Sequence, residues 1–200
     1  MHNRDGCGFN TLNIQTQMTI IHATDPTTDV LSQLYVTRDD ISALINETNS
    51  NVDVQNAIRG DSTIMMLGHG NQYGLFSKPN KKGKYERFLI TGRHVQFLRD
   101  KVGIGIWCYA NLFAEKYGLS GLFSGMIISE MQEAIDLNIH TTQEEISREI
   151  TKFACRLGDC MNRYELQEIP VRMLELDDVK SELTQFNYSR LFFYENKNNR

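Results

Sequence analysis

The feature that most constrains this chain is the alternation of short, continuous apolar runs with longer amphipathic stretches. Apolar runs of this length are typical of strands buried on both faces of a parallel sheet, and amphipathic stretches are typical of the helices that connect them. We therefore predict an α/β fold of three layers, with a mostly parallel sheet and helices on both faces. The predicted strands are residues 18–22, 62–67, 85–90, 102–110 and 125–129.

Capping patterns mark where the helices of this fold should begin and end. Thr142 and Glu145 have the spacing of a capping box, and apolar residues follow them at helical spacing. The segment 168–176 is compatible with either a strand or a helix start. One helix is predicted to begin at Asp29 as its N-cap, and a second to cover 39–48. A third is predicted to follow Thr91, and a fourth to end at Gly118. Two longer helices are predicted at 141–164 and 177–196.

The length and composition fit one domain of ordinary size, which we place at residues 18–200. The chain has 200 residues, of which 40% are hydrophobic, so the composition is sufficient for a full core. Residues 1–17 are polar and follow no periodic pattern. We expect a disordered extension there, with Met18 as an alternative start of the functional chain.

The charge and hydropathy of the chain argue against several classes of partner. A net charge of −4 does not fit a protein that binds nucleic acid through its phosphates, because that needs a basic patch. No run approaches the roughly 18 apolar residues of a membrane span, so no membrane partner is expected. There is no apolar segment of a secretory signal at the start. The spacing of the cysteines is not that of paired metal ligands, so no metal is expected. We also expect reduced thiols and a cytoplasmic location. The cysteines are Cys7, Cys108, Cys155 and Cys160.

Polar and nucleophilic residues follow several of the predicted strands. His69 comes after the strand at 62–67, and Cys108 lies at the end of the strand at 102–110. Sites in open parallel sheets lie beyond the carboxyl ends of the strands, so these groups are expected to converge although they are far apart in sequence. The other candidates at strand exits are His22, Asp25, Asp29, Ser129 and Glu130.

A cysteine and a histidine at neighbouring strand ends suit nucleophilic catalysis. The thiolate of Cys108 would attack a carbonyl carbon, and the imidazole of His69 would manage the proton that the leaving group needs. Glycines on both sides of His69 allow a sharp turn that exposes a backbone N–H. The N–H groups of Gly70 and Cys108 are therefore candidates for an oxyanion hole. Each residue alone also has a plainer interpretation, a loop histidine and an inert core thiol.

At these two blocks, "IMMLGHG" and "IGIWCYAN", the sequence resembles the clan CD cysteine peptidases, which include caspases, clostripain-like peptidases and CHAT-domain proteases. In that family one apolar strand ends in His-Gly and a later one ends in the nucleophilic cysteine. The resemblance covers about residues 18–130. It differs in several ways. Trp107 and Tyr109 stand where small residues are usual, and Ile106 stands where many members carry Asp, Glu or Gln. The Ser or Gly that often follows the cysteine is also absent from "CYANLFAEKYG".

The resemblance implies a caspase-like three-layer fold and a cysteine endopeptidase that works through a thioester. It implies that His69 is the catalytic histidine, that Cys108 is the nucleophile and that Gly70 supplies an oxyanion-hole amide. No cofactor is expected, and the partner would be a protein or peptide substrate. An acidic substrate pocket built from Asp25, Asp29, Ser129 and Glu130 would favour a basic residue at P1. Asp29 as a helix cap and Glu130 as a helix-terminal charge are the alternatives.

The alternative function is a catalytically inactive caspase-like or flavodoxin-like module that binds a protein partner or a small ligand. Trp107 favours it, since a bulky indole beside Cys108 would fill a substrate channel. A nucleotide-binding protein ranks lower because no glycine-rich phosphate loop follows the first strand. The oligomeric state is left open by the sequence.

Overall fold

The computed structural model describes residues 17–23, 25–80 and 83–195. Residues 1–16 of the extension predicted at 1–17 lie outside the described residues. The strands are β1 (Met18–His22), β2 (Ile41–Ile45), β3 (Thr63–Leu67), β4 (Gly70–Asn71), β5 (Gly74–Phe76), β6 (Phe88–Thr91), β7 (Val102–Ile106), β8 (Ser120–Ser124) and β9 (Leu191–Tyr194). The helices are α1 (Asn51–Gly60), α2 (Val95–Leu98), α3 (Ala110–Tyr117), α4 (Met131–Asp136), α5 (Gln143–Arg163), α6 (Ile169–Leu176) and α7 (Glu182–Tyr188), with 3₁₀ turns at Asp29–Leu34 and Gly92–His94.

The central sheet has the strand order β2-β1-β3-β7-β8-β9 in the described part of the chain. Its first five strands are parallel, and β9 is antiparallel to β8. The register aligns His22 of β1 with Leu67 of β3, and Leu67 with Ile106 of β7. The three strands therefore end at the same level, and the residues that follow them share one edge of the sheet.

Both faces of this sheet are covered by helices, which confirms the predicted three-layer α/β architecture. Side chains alternate along the strands, so Met65 packs on the face covered by α5, α6 and the turn Asp29–Leu34, whereas Met66 packs on the face covered by α1, α2 and α3. The central strands are buried on both faces, which is why their sequences are continuously apolar. In the described residues no helix has the length and apolar character needed to cross a membrane.

Some of the predicted elements were wrong. The segment 39–48 is not a helix, because Ile41–Ile45 forms the edge strand β2 next to β1. The segment 125–129 is an irregular segment, and the strand lies just before it, at Ser120–Ser124. The predicted final helix stops at Tyr188, and the aromatic residues after it form β9. Asp29 is not a cap, since it is the first residue of the 3₁₀ turn and follows Thr28 at the N-cap position.

Candidate functional site

His69 and Cys108 line one cleft at the carboxyl edge of the sheet. They lie two residues beyond the ends of β3 and β7, which are neighbouring parallel strands. The cleft encloses about 430 Å³ of space that is partly open to solvent, and Thr27, Ile127 and Ser129 contribute to its walls. The strand order thus brings together the two residues on which the sequence analysis depends.

The turn into His69 requires glycine at position 68. Gly68 has a φ of +138°, in the region that residues with a Cβ rarely adopt. A Cβ there would lie 3.1 Å from the carbonyl oxygen of Ala23. The Gly68 N–H donates to the carbonyl of Ile106 at 3.2 Å, so the last bond between the two strands holds the backbone directly before His69.

The imidazole of His69 is held by a threonine and an aspartate from the loop after β1. Its Nε2 lies 2.6 Å from the hydroxyl of Thr27 and 3.7 Å from Oδ2 of Asp25. The Thr27 hydroxyl donates its single proton to Oδ1 of Asp25 at 2.6 Å, so toward His69 it acts as an acceptor. We infer that Nε2 carries the proton in neutral His69 and that Nδ1 keeps the basic lone pair.

Tyr85 lies next to His69, and the sequence analysis missed it. Its ring lies 5.6 Å from the imidazole of His69 and stacks on Phe76 at 4.8 Å between centroids. Burial raises the pKa of Tyr85 strongly, and the nearby carboxylates of Asp25 and Glu130 raise it further. The phenol therefore stays protonated and forms a hydrogen bond with Asp25.

Gly70 begins a small sheet of β4, β5 and β6 that carries the backbone after His69. The Phe76 N–H donates to the His69 carbonyl at 2.8 Å, so in the antiparallel ladder the next pair, Gly70 with Leu75, is a non-hydrogen-bonded pair. The Gly70 N–H is therefore directed away from β5. A Cβ at Gly70 would overlap the indole of Trp107 and lie 2.6 Å from the Gly74 carbonyl oxygen.

Trp107 anchors that hairpin, which the sequence did not indicate. Its side chain is buried, with the residue only 2% exposed, and its Nε1–H donates to the carbonyl of Asn71 at 3.1 Å. The indole also packs edge-on against Phe113 of α3. The bulky residue before Cys108 thus supports the segment that follows His69, and its indole occupies the space beneath β4.

Cys108 lies in a sharp turn between β7 and α3. The next residue, Tyr109, is the N-cap of α3 and has a φ of +67°, a left-handed conformation that is uncommon for tyrosine. Strained backbone of this kind is concentrated at functional sites, although the strain alone assigns no function. The turn leaves the residue Cys108 half-buried at the cleft.

The thiol of Cys108 faces Glu133 of α4. Its Sγ lies 3.9 Å from Oε1 of Glu133 and 3.8 Å from the carbonyl of Ile127. Burial raises the pKa of Cys108 to about 12, and the negative charge of Glu133 is the next cause. In this conformation Cys108 is therefore a neutral thiol at neutral pH.

Glu133 is fixed in place because it also caps its own helix. Its Oε2 accepts hydrogen bonds from the backbone N–H groups of Ser129 at 2.7 Å and Glu130 at 3.1 Å. A carboxylate at this position suits the positive end of a helix. One oxygen of Glu133 thus stabilises α4, while the other faces the thiol of Cys108.

The remaining predicted site residues divide into two groups. Ser129 lines the cleft, and Glu130 is exposed in an adjoining groove that Ser129 and Thr27 also line. Asp25 lies against His69, as described above. The structure does not bring Asp29 or His22 to the cleft: Asp29 is exposed at its 3₁₀ turn, and His22 is buried between Tyr35 and the Thr28 carbonyl.

Within residues 17–23, 25–80 and 83–195, no three His, Cys, Asp or Glu side chains are close enough together to hold a metal ion. Comparison of the chain with protein-family models and with curated proteins found no match. The chemistry of the cleft is therefore the basis for assigning a function.

Proposed function

We propose that this protein is a cysteine endopeptidase in which Cys108 is the nucleophile and His69 transfers the proton. The observation that carries the proposal is that both side chains line one cleft at the ends of adjacent strands. The contact of His69 with Thr27 and Asp25 supports it, because it holds the imidazole and leaves Nδ1 as a base. The resemblance of both sequence blocks to clan CD cysteine peptidases agrees with these roles.

The proposed reaction is acyl transfer to sulfur followed by hydrolysis. His69 accepts the thiol proton as the sulfur of Cys108 bonds to the peptide carbonyl carbon. The carbon–nitrogen bond then breaks, and the leaving amine takes the proton from His69. Water, deprotonated by His69, hydrolyses the thioester and restores the thiol. The Gly70 N–H, which is directed away from β5, is the proposed oxyanion donor, and no cofactor takes part.

The proposed mechanism requires an activation step at Cys108. A thiol with a pKa of about 12 is almost entirely protonated at neutral pH, and Glu133 is the charged neighbour that favours this state. Binding of a substrate in the cleft would have to bring the carbonyl carbon to the sulfur and weaken the contact with Glu133. Activation is therefore coupled to the position of α4.

The proposed substrate is a protein or peptide with a basic residue at P1. The carboxylate of Glu130 supports this preference, because it is exposed in the groove that continues from the cleft. Asp25 contributes negative charge at the same edge of the sheet, although its hydrogen bonds are with Thr27 and Tyr85. The proposed location is the cytoplasm.

One observation favours a second function, a catalytically inactive module that binds a protein partner or a small ligand. The raised pKa of Cys108 is the property expected of a buried structural thiol. Under this alternative the same cleft binds its ligand without forming a covalent bond.

The two functions are separated by labelling with a peptidyl chloromethyl ketone that ends in Lys, followed by mass spectrometry at each cysteine. A peptidase labels at Cys108 before the exposed Cys155, and His69→Ala lowers the Cys108 rate by about a hundredfold. Iodoacetamide, which does not occupy a peptide site, labels Cys155 first. A matched reagent that ends in Asp tests the P1 preference. If Cys108 stays unlabelled by both ketones in the folded protein, the peptidase proposal is wrong and the binding module is favoured.

A further inference from the structure

A second pocket lies on the other side of the segment 125–127 from the cleft. Ile127 lines the cleft, whereas Gly125 and Met126 line this second pocket. It encloses about 590 Å³, partly open to solvent, between the start of α3, the end of α4 and the start of β9. Most of its wall is apolar, from Leu112, Leu137, Phe186 and Phe192.

Arg190 is the charged residue in this wall, and within the described residues its charge has no partner. Its guanidinium stacks on the ring of Phe186 at 4.2 Å, and the residue is half-buried. Among the described residues no hydrogen bond or ion pair reaches the guanidinium, and its Nε–H is buried without an acceptor. Nε is buried while the residue as a whole is half-buried, so the rest of the side chain is the part that a ligand in the pocket can reach.

Asn111 lies in the same wall, but its unpaired atom is closed off from the pocket. Its Oδ1 is buried without a donor in the part of the chain that the structure describes. Because neither this atom nor Nε of Arg190 is exposed, a ligand in the pocket contacts the exposed part of the Arg190 side chain and the apolar wall.

Tyr109 places this pocket directly beside the candidate nucleophile. It follows Cys108 in the chain, its left-handed backbone turns its side chain into the pocket wall, and its hydroxyl lies 3.4 Å from the sulfur of Met126. The residue is 40% exposed. The wall of the second pocket thus includes the residue that directly follows Cys108.

We propose that this pocket, which we call the Arg190 pocket, is a binding site for a carboxylate carried on an apolar group. The guanidinium supplies the charge, and the aromatic and aliphatic wall supplies the apolar contact. Resting on the proposed peptidase function, the carboxylate is an acidic side chain of the substrate that lies next to the residue bound at Cys108.

The binding step is tested first, without any requirement for catalysis. The probes are 3-phenylpropionate and its neutral amide, added at millimolar concentration to the full chain, with the Nε–Hε resonance of Arg190 followed by NMR. The acid should shift this resonance and bind about tenfold more tightly than the amide. Arg190→Gln should remove the preference, and Arg190→Lys, which retains the charge, should keep part of it. Arg99→Gln, at an exposed position near the opposite edge of the sheet, is the matched control.

The proposal is overturned if acid and amide bind equally, if Arg190→Gln leaves the preference intact, or if neither probe binds because water alone satisfies the pocket. The substrate assignment is then tested with peptidyl chloromethyl ketones that carry Glu or Gln beside the terminal Lys. A faster rate for Glu that disappears in Arg190→Gln supports it, and equal rates contradict it. A failure of Cys108 to react at all leaves the NMR result standing, so the two proposals fail separately.

Discussion

The surroundings of His69 and those of Cys108 have opposite effects on these two reactive side chains. On the His69 side, Asp25, Thr27 and Tyr85 form a connected network that orients the imidazole and leaves one nitrogen basic. On the Cys108 side, burial keeps the thiol protonated, and the carboxylate of Glu133 adds to this effect. His69 is thus ready to act as a base before substrate binds, whereas Cys108 is not yet ready to act as a nucleophile. The difference places the control of any reaction on the Cys108 side, in α4 and the segment before it.

The largest effect is expected from a change that disturbs the support of the His69 side. Gly70→Ala would place a Cβ inside the indole of Trp107, and both neighbouring elements are tightly packed. We expect the free energy of unfolding to fall by about 3 kcal/mol, as measured by urea denaturation. Labelling of Cys108 by the lysyl chloromethyl ketone should slow at the same time, because the hairpin that follows His69 is displaced.

Gly60→Ala is the matched control for that measurement. A Cβ at Gly60 meets nothing within 4 Å, and the residue ends the α1 helix with an ordinary φ. The free energy of unfolding of this variant should lie within about 0.5 kcal/mol of that of the unmodified protein. If Gly70→Ala is equally well tolerated, the hairpin does not depend on Trp107, and Trp107 does not support the position of His69.

The second prediction tests the Cys108 side. Glu133→Gln removes the charge next to the thiol, while its amide oxygen can still accept the backbone N–H groups that cap α4. The pKa of Cys108 should therefore fall toward its ordinary value, and its iodoacetamide rate at neutral pH should rise about tenfold. The rate is measured by mass spectrometry across pH, and the profile should move to lower pH.

The comparison variant for this experiment is Glu130→Gln, which removes an exposed charge that ranks below Glu133 among the causes of the raised pKa. It should change the Cys108 rate less than Glu133→Gln does. Slower labelling in Glu133→Gln would reverse the interpretation, since Glu133 would then be acting as a proton acceptor for the thiol rather than as a charge that opposes its ionisation.

The sequence predicted the middle of the sheet well and its edges poorly. β1, β3 and β7 are buried on both faces, so their composition alone identifies them. β2 is an edge strand whose Leu44 faces solvent, and this exposed leucine removes the alternation that marks a strand. β8 was missed because Gly121 is packed against the backbone of Gly103, a contact between distant residues that no local pattern contains.

The site was predictable to the extent that it depends on strand ends. His69 and Cys108 follow two apolar runs, and the parallel order of these strands brings them to one cleft. Tyr85 was missed, because it comes from a loop and reaches Asp25 only through the tertiary fold. Glu133 had a local signal, since it follows Glu130 at the spacing of a capping box. That spacing predicts a helix start, but not that the second carboxylate oxygen faces a thiol.

The smallest expected effect sharpens the comparison on the His69 side. Thr27→Val keeps the shape of the side chain and removes the hydroxyl that joins Asp25 to His69. The imidazole then loses one hydrogen bond, worth about 0.5–1.5 kcal/mol, and its tautomer is no longer fixed. The rate of Cys108 labelling by the lysyl chloromethyl ketone should fall by roughly three- to tenfold.

Thr27→Ser is the control for this loss, because it retains the hydroxyl and should keep most of the rate. The iodoacetamide rate of the exposed Cys155 should be the same in all three proteins. If Cys108 is labelled as fast in the Thr27→Val variant as in the unmodified protein, the network around His69 does not prepare a base. The proposed difference between the surroundings of His69 and those of Cys108 then has no effect on reactivity. If Thr27→Ser is as slow as Thr27→Val, the loss comes from packing at Thr27, and the hydroxyl is not what orients His69.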